Sequence, residues 1–384
     1  MSLFRLTVQL GNLLAASALL LQAQTPSDQA IASTGPNGNA GISRAEFAEP
    51  AVPADPLELV TGDAQAIQTA EQRAAIANML ANAHALSNVR AFPYYRKTAF
   101  LSYGGSSSDG SWQLEDTSPG SNLYRWSAQG PGYSAIHLFD HRMLYSNQPG
   151  VSIPVRLAQV RSAIFFTRPV VGPRATLRTA TASLNGAALT CILLSHMGAA
   201  KGATGGRRWA ESEYCIENAS GALILYSAVP GLYVYYDYSQ AIRFHDRVIP
   251  NRFTINQAGH TIIEAQTLKV SDPPDNPSLF QPDGLNQVGV GFPMTAPATL
   301  RRVIPSPIPP PGSSQVVAIH GMRSATGEIT DLELLASSNS ALNQTALELA
   351  SKWQSETVPD DPEPGATPQS HEVLITLTFA GIQR

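Results

Sequence analysis

The sequence predicts an α+β protein: one large antiparallel sheet with helices, then a small module of β-hairpin, helix and strand. Two patterns carry that expectation. After one long helical segment, short apolar runs succeed each other between Gly, Asn, Asp and Ser turn signals, as antiparallel strands do. Near the C-terminus, two alternating runs, a helical stripe and a last alternating run follow a proline-rich stretch. With 43% hydrophobic and 14% charged residues, the 384-residue chain can fill cores for two domains.

At the N-terminus, Arg5 precedes the apolar run Leu13 to Leu21, followed by Gln22-Ala23-Gln24. That is the plan of a secretory signal over residues 1–23, cut near Ala23. An uncleaved inner-membrane anchor is the alternative, but a span of about 20 residues is reached only by including Arg5, Gln9, Gly11 and Asn12. No later stretch is long and apolar enough to span, so no transmembrane helix is expected in the mature chain. Residues 24–62 are rich in Ala, Pro, Gly, Asn and Ser, and read as a disordered tether.

The first domain, α+β, is placed at 63–303. Asp63 is a plausible N-cap for a helix whose stripe runs through Ile67, Ala70, Ala74, Ile76, Leu80 and Ala83. Strands are expected at Tyr94–Tyr103, Ser111–Glu115, Leu123–Ser127, Ser134–Phe139 and Met143–Ser146. A second helix, Ile153–Phe166, starts at Pro154, and further strands run from Ala175 to Lys269. Residues 271–303 read as irregular and 304–314 as a Pro-rich linker. In the terminal domain, 315–384, the hairpin is Gln315–Arg323 and Glu328–Ala336. The helix is Asn339–Gln354, with Ala341, Leu342, Ala346, Leu349, Ala350 and Trp353 on one side. His371–Phe379 closes the module, with Val373, Ile375, Leu377 and Phe379 on one face.

The two cysteines, Cys191 and Cys215, each lie in a strand-like run. An even number in an exported chain favours one disulfide between neighbouring strands; two buried thiols are the alternative. The net charge of −4 excludes a generic nucleic-acid binder and conceals a segmental pattern. Residues 64–303 carry +6 and residues 304–384 carry −6, so the terminal module is expected to dock on the middle one.

No constellation for catalysis emerges, and neither a metal nor a cofactor is expected. His137 and His141, four apart on a strand–turn–strand segment, read as surface histidines. Glu211 and Glu213 flank Arg207-Arg208 and read as a solvated face with local ion pairs. Gly198–Gly206 lacks the strand–loop–helix context of a phosphate loop. Arginines 156, 161, 168, 174, 178, 207 and 208 could meet an anionic ligand or a membrane surface.

Val317-x-x-x-Gly321, Gly327 at the turn, Glu328-Ile329-Thr330-Asp331-Leu332, Ser337-Ser338-x-x-x-Leu342 and Trp353 resemble the C-terminal domain of the TonB energy-transducer family. The resemblance implies structural roles for Gly321, Gly327, Leu342 and Trp353, and peptide binding by strand addition. Gln354-Ser355-Glu356 departs from the basic-aromatic pair and Pro that follow the Trp in that family. The leading helix, the meander of strands and Leu279-Phe280-Gln281-Pro282 resemble the LolA-like periplasmic lipoprotein carriers. That resemblance implies a curved sheet or half-barrel around helices, with acyl chains held inside.

These readings point to an exported, periplasmic, non-catalytic binding or adaptor protein whose terminal module binds an envelope protein or peptide. The alternative is a carrier of a lipid or lipoprotein acyl chain in an apolar cavity of the middle domain. A true energy transducer is a third reading, and a hydrolase with an unrecognised site a fourth.

Overall fold

The structure is a computed structural model that describes residues 47–120, 122–196, 205–290, 297–324, 326–353 and 370–382. The expected signal at 1–23, the first part of the tether and most of Gly198–Gly206 lie outside these residues. Among the described residues, no helix is long and apolar enough to cross a membrane.

The strands in chain order begin with β1 (Gln65–Ala66), β2 (Tyr94–Ser102), β3 (Gly110–Gly120), β4 (Leu123–Gly130), β5 (Tyr133–Asp140) and β6 (Met143–Ser146). They continue with β7 (Thr176–Leu184), β8 (Ala187–Ser195), β9 (Ser212–Glu217), β10 (Leu223–Ser227) and β11 (Leu232–Asp237). A small hairpin, β12 (Ile242–Phe244) and β13 (Arg247–Ile249), precedes β14 (Arg252–Gln257), β15 (His260–Ser271) and β16 (Asn286–Val290). Fourteen strands form one antiparallel sheet in the order β1-β7-β8-β9-β10-β11-β14-β15-β2-β3-β4-β5-β6-β16. Register shifts in the β9–β10, β14–β15, β15–β2, β3–β4 and β6–β16 pairs curl it, as bulges do.

Helices α1 (Ala70–Ser87) and α2 (Val155–Ile164) pack against the inner face. Helix α1 starts six residues later than the Asp63 cap would place it. Asp63 bridges Gly205, and Gln65–Ala66 pairs with β7, so this stretch is extended. Thr69 caps instead, its Oγ1 accepting from the Gln72 amide at 3.2 Å while Gln72 accepts from the Thr69 amide at 3.4 Å.

Residues 47–62, within the expected tether, are packed. Leu57, Leu59 and Val60 cover an apolar cluster on the outer face of β8–β11, and Trp209 Nε1 donates to the Pro50 carbonyl at 3.0 Å. The same cluster holds the Cys191–Cys215 disulfide, its residues directly opposed on β8 and β9. Bridging residues 24 apart stabilises the fold by about 3 kcal/mol in the chain-entropy picture.

The terminal module adds β17 (Ala298–Ser306), β18 (Ser314–Arg323), β19 (Ile329–Ser337), α3 (Asn343–Ser351) and β20 (His371–Gly381). Its sheet order is β17-β20-β18-β19. The expected hairpin, helix and strand are present, but residues 298–306, assigned to irregular chain and linker, form a fourth strand parallel to β20. Ala298, Leu300 and Ile304 alternate onto the α3 side, and that burial is what holds the strand. Leu342, Ala346 and Ala350 are buried beneath α3, whereas Leu349 is exposed. Gly327 adopts φ +87° in the hairpin turn, which an L side chain resists. Gly321 is buried on β18, and the Trp353 ring lies 5.8 Å from the Arg302 guanidinium.

Both faces of this small sheet are covered. One meets α3; the other, through Val316, Ala318, Leu335 and Leu374, joins the core beneath the large sheet. Helix α2 is therefore buried on nearly every side between the two sheets. Gly231 permits the closest approach, since a Cβ there would sit 2.2 Å from the Leu335 carbonyl oxygen. The expected docking of oppositely charged modules is seen in the Arg156–Glu333 pair, 2.7 Å, and in the Ser162 hydroxyl donating to Glu372 at 2.6 Å.

Candidate ligand-binding site under the curved sheet

Alternation along β2 turns Tyr94, Arg96, Thr98 and Phe100 to the inner face, so a guanidinium enters the apolar interior in phase with two aromatic rings. On β3, Asp116 stands opposite Arg96 in register. Asp116 is fully buried and accepts hydrogen bonds from the Tyr124 hydroxyl and, at 3.2 Å, from Arg161 Nη1. Helix α2 delivers Arg161, whose guanidinium lies over the Trp126 ring at 3.8 Å. Burial pushes the Asp116 carboxyl up from its usual range, while Arg161, the Tyr124 hydroxyl and Arg96 pull it back.

Arg96 is differently placed. It is 3% exposed and donates from Nη2 to Thr267 Oγ1 at 2.8 Å, but its Nε has no acceptor. Among the described residues no carboxylate comes within ion-pair distance of it. It lines a cavity of about 20 Å³ together with Phe166, Leu223, Tyr236, Tyr238 and Phe253. That volume suits one water molecule. Tyr236 is committed elsewhere, its hydroxyl donating to the Ala163 carbonyl at 2.8 Å.

The surroundings are cationic. His84, in the last turn of α1, faces Phe166 across 6.2 Å between ring centroids. Burial lowers its pKa, and the charges of Arg168, Arg90 and Arg247 lower it further. The loop 165–174 after α2 joins no strand ladder; it covers this end of the cavity through Phe166 and is tied to α1 by Arg73 Nη2 donating to the Gly172 carbonyl at 2.8 Å.

The remaining candidates resolve as structure. Glu211 and Glu213 are buried, not solvated. Glu211 pairs bidentately with Arg178 at 2.8 and 2.8 Å, and Glu213 lies 3.6 Å from Arg207. The reason is the packed segment 47–62: Glu58 comes within 3.9 Å of Arg207 and accepts from Tyr233 at 2.9 Å. His137 is likewise buried, stacked on Trp126 with centroids 4.0 Å apart. Burial and then Arg161 push its pKa down to about 3. His141 is exposed. Cys191 and Cys215 lie beside Glu213, but the disulfide leaves no thiolate for a metal. Gly321, Gly327, Leu342 and Trp353 lie in the terminal module and line no part of the cavity. Arg96 was absent from the candidate arginines; its phase with Tyr94 and Phe100 is the signal that marks it.

No family model matches the sequence, and no curated protein sequence does. Solved structures do. The chain is similar to a LolA superfamily protein from Nitrosomonas europaea, with a TM-score of 0.37 and 12% identity, over 54% of this chain and 97% of that one. It is also similar to a DUF1329 family protein from Desulfovibrio piger, with a TM-score of 0.35 and 7% identity, over 56% and 98% of the two chains. Neither comparison connects residues 315–384 with TonB-type domains.

Proposed function

We propose that this protein is a non-catalytic carrier of the cell envelope that holds the acyl chain of a lipid or lipoprotein under its curved sheet. The observation that supports the reading is the cavity at the end of α2. Its lining combines apolar and aromatic side chains with Ser87 and Arg96, and the Arg96 Nε has no acceptor. At about 20 Å³ the cavity is closed to a chain. The cover is loop 165–174, which lacks ladder hydrogen bonds, so opening it costs less than moving a strand. An export signal at 1–23 and a periplasmic location belong to the same proposal.

The adaptor reading is weaker on this geometry. Strand addition at β20 would have to displace the chain's own β17 or β18, and the edges among the described residues are instead the outer sides of β17 and β19.

A polyene fatty acid that fluoresces in apolar surroundings tests the carrier reading. A saturable rise at about one ligand per chain is expected, with a weaker rise in Ala163→Val, which narrows the cavity by two methyl groups, near-UV circular dichroism serving as the check on folding. Fluorescence that never saturates, or that is unchanged in the substituted protein, contradicts it.

A further inference from the structure

We infer that Arg96 is a headgroup site, and that the acyl ligand is an amphiphile whose head is an oxyanion, a carboxylate or a phosphate. The inference rests on the carrier reading and adds the chemical class of the ligand.

The physical problem is a buried guanidinium left incompletely paired. A charge taken out of water needs a counter-charge and acceptors for its donors. Arg96 has one neutral hydroxyl acceptor, Thr267 Oγ1, which itself donates to the Pro250 carbonyl at 3.1 Å. Asp116, the carboxylate whose charge acts on it, accepts from Arg161 and Tyr124 through Oδ1 and leaves Oδ2 unpartnered, without coming within ion-pair distance of Arg96. Against this single acid stand the guanidinium groups of Arg96 and Arg161 within the core. The charges of Arg168, Arg90 and Arg247 also act on His84, which faces the cavity-lining Phe166. Two exposed carboxylates stand on that side: Asp246 pairs with Arg247 at 3.3 Å, and Asp272 lies 3.2 Å from His245.

The lining offers both chemistries: Arg96 and Ser87 are polar, and Ile164, Phe166, Leu223 and Phe253 are apolar. An oxyanion at Arg96 Nε gains a charge-assisted hydrogen bond in low dielectric. Its chain then runs along the apolar wall once loop 165–174 moves. The outer arginines add a long-range pull on an anion. A neutral head gains none of this.

The test compares heads on one chain length. Decanoate, decyl phosphate and 1-decanol compete with the polyene probe on the full chain at pH 8, with inorganic phosphate as the tail-less control. The two anions are expected to displace the probe at about tenfold lower concentration than decanol, the ratio one charge-assisted hydrogen bond supports. Inorganic phosphate is expected to displace nothing at millimolar concentration. Arg96→Gln should bring the ratio near one, and Arg96→Lys should keep part of it.

Equal displacement by decanol and decanoate in the wild-type protein overturns the headgroup assignment while leaving the carrier reading intact. Competition by inorganic phosphate at the concentration of decyl phosphate overturns it in favour of a free-anion site. An undiminished ratio in Arg96→Gln overturns the assignment to this residue. Failure of all three decyl compounds contradicts the carrier reading itself. The head-group series in the wild-type protein stands even if a substitution prevents folding.

Discussion

Glu213 shows how a single side chain can tie stability to pH. Its carboxyl is fully buried, and burial raises its pKa well above the usual 4.5; the hydrogen bond and charge of Glu58 add to the rise, and Arg207 opposes it. The native state therefore holds a proton that the unfolded chain releases. Stability is full below the unfolded value and declines as pH climbs from there toward the native value. Glu213→Gln keeps the shape of the protonated form and abolishes the titration. The substituted protein should gain in melting temperature over the wild type, by an increment that grows from pH 5 to pH 8. A gain that stays constant or shrinks over that range would show the carboxyl is ionised in the fold. Arg96 and Glu213 were equally hard to read from sequence. Alternation gives the phase of a residue, but whether that phase faces solvent depends on what packs there, and segment 47–62 is what buries Glu213.

Among the elements, α2 carries the join between the two sheets. Arg156, 1% exposed, donates to both Glu333 oxygens, at 3.1 and 2.7 Å, and also reaches Asp109 at 3.3 Å. Removing one partner leaves a buried charge short of its counter-ion, whereas removing both does not. Glu333→Gln should cost about 2 kcal/mol in urea unfolding, less than a fully buried pair because Asp109 remains and Glu333 is part-exposed. Arg156→Met with Glu333→Met should cost less than the sum of the single changes. Strict additivity would mean that the pair does not couple the modules. The terminal hairpin, helix and strand were legible because each buries a clean periodic face, as Val373, Ile375, Leu377 and Phe379 do against α3. Strand β17 was not legible. Its row Ala298, Leu300, Arg302, Ile304 mixes a guanidinium into the apolar phase, and Pro305, next to its last residue, reads locally as linker.

For the whole molecule, the sequence foretold a layered α+β chain with a curved sheet; it did not foretell that the terminal module completes the core. Val316, Ala318, Leu335 and Leu374 belong to the same apolar cluster as α1, α2 and the inner face of the large sheet. Such contacts join residues more than a hundred positions apart, and no local pattern encodes them. On the carrier reading proposed above, the consequence is a protein that closes on itself: the interior is filled, the cavity is small, and a ligand would have to displace a loop to enter. Native mass spectrometry of the full chain, purified without detergent from a double-membraned bacterial host, tests that account most directly. It predicts a bound acyl anion that organic extraction removes and that rebinds on addition. A bare chain mass before and after extraction, with no adduct when acyl anions are supplied, would contradict it.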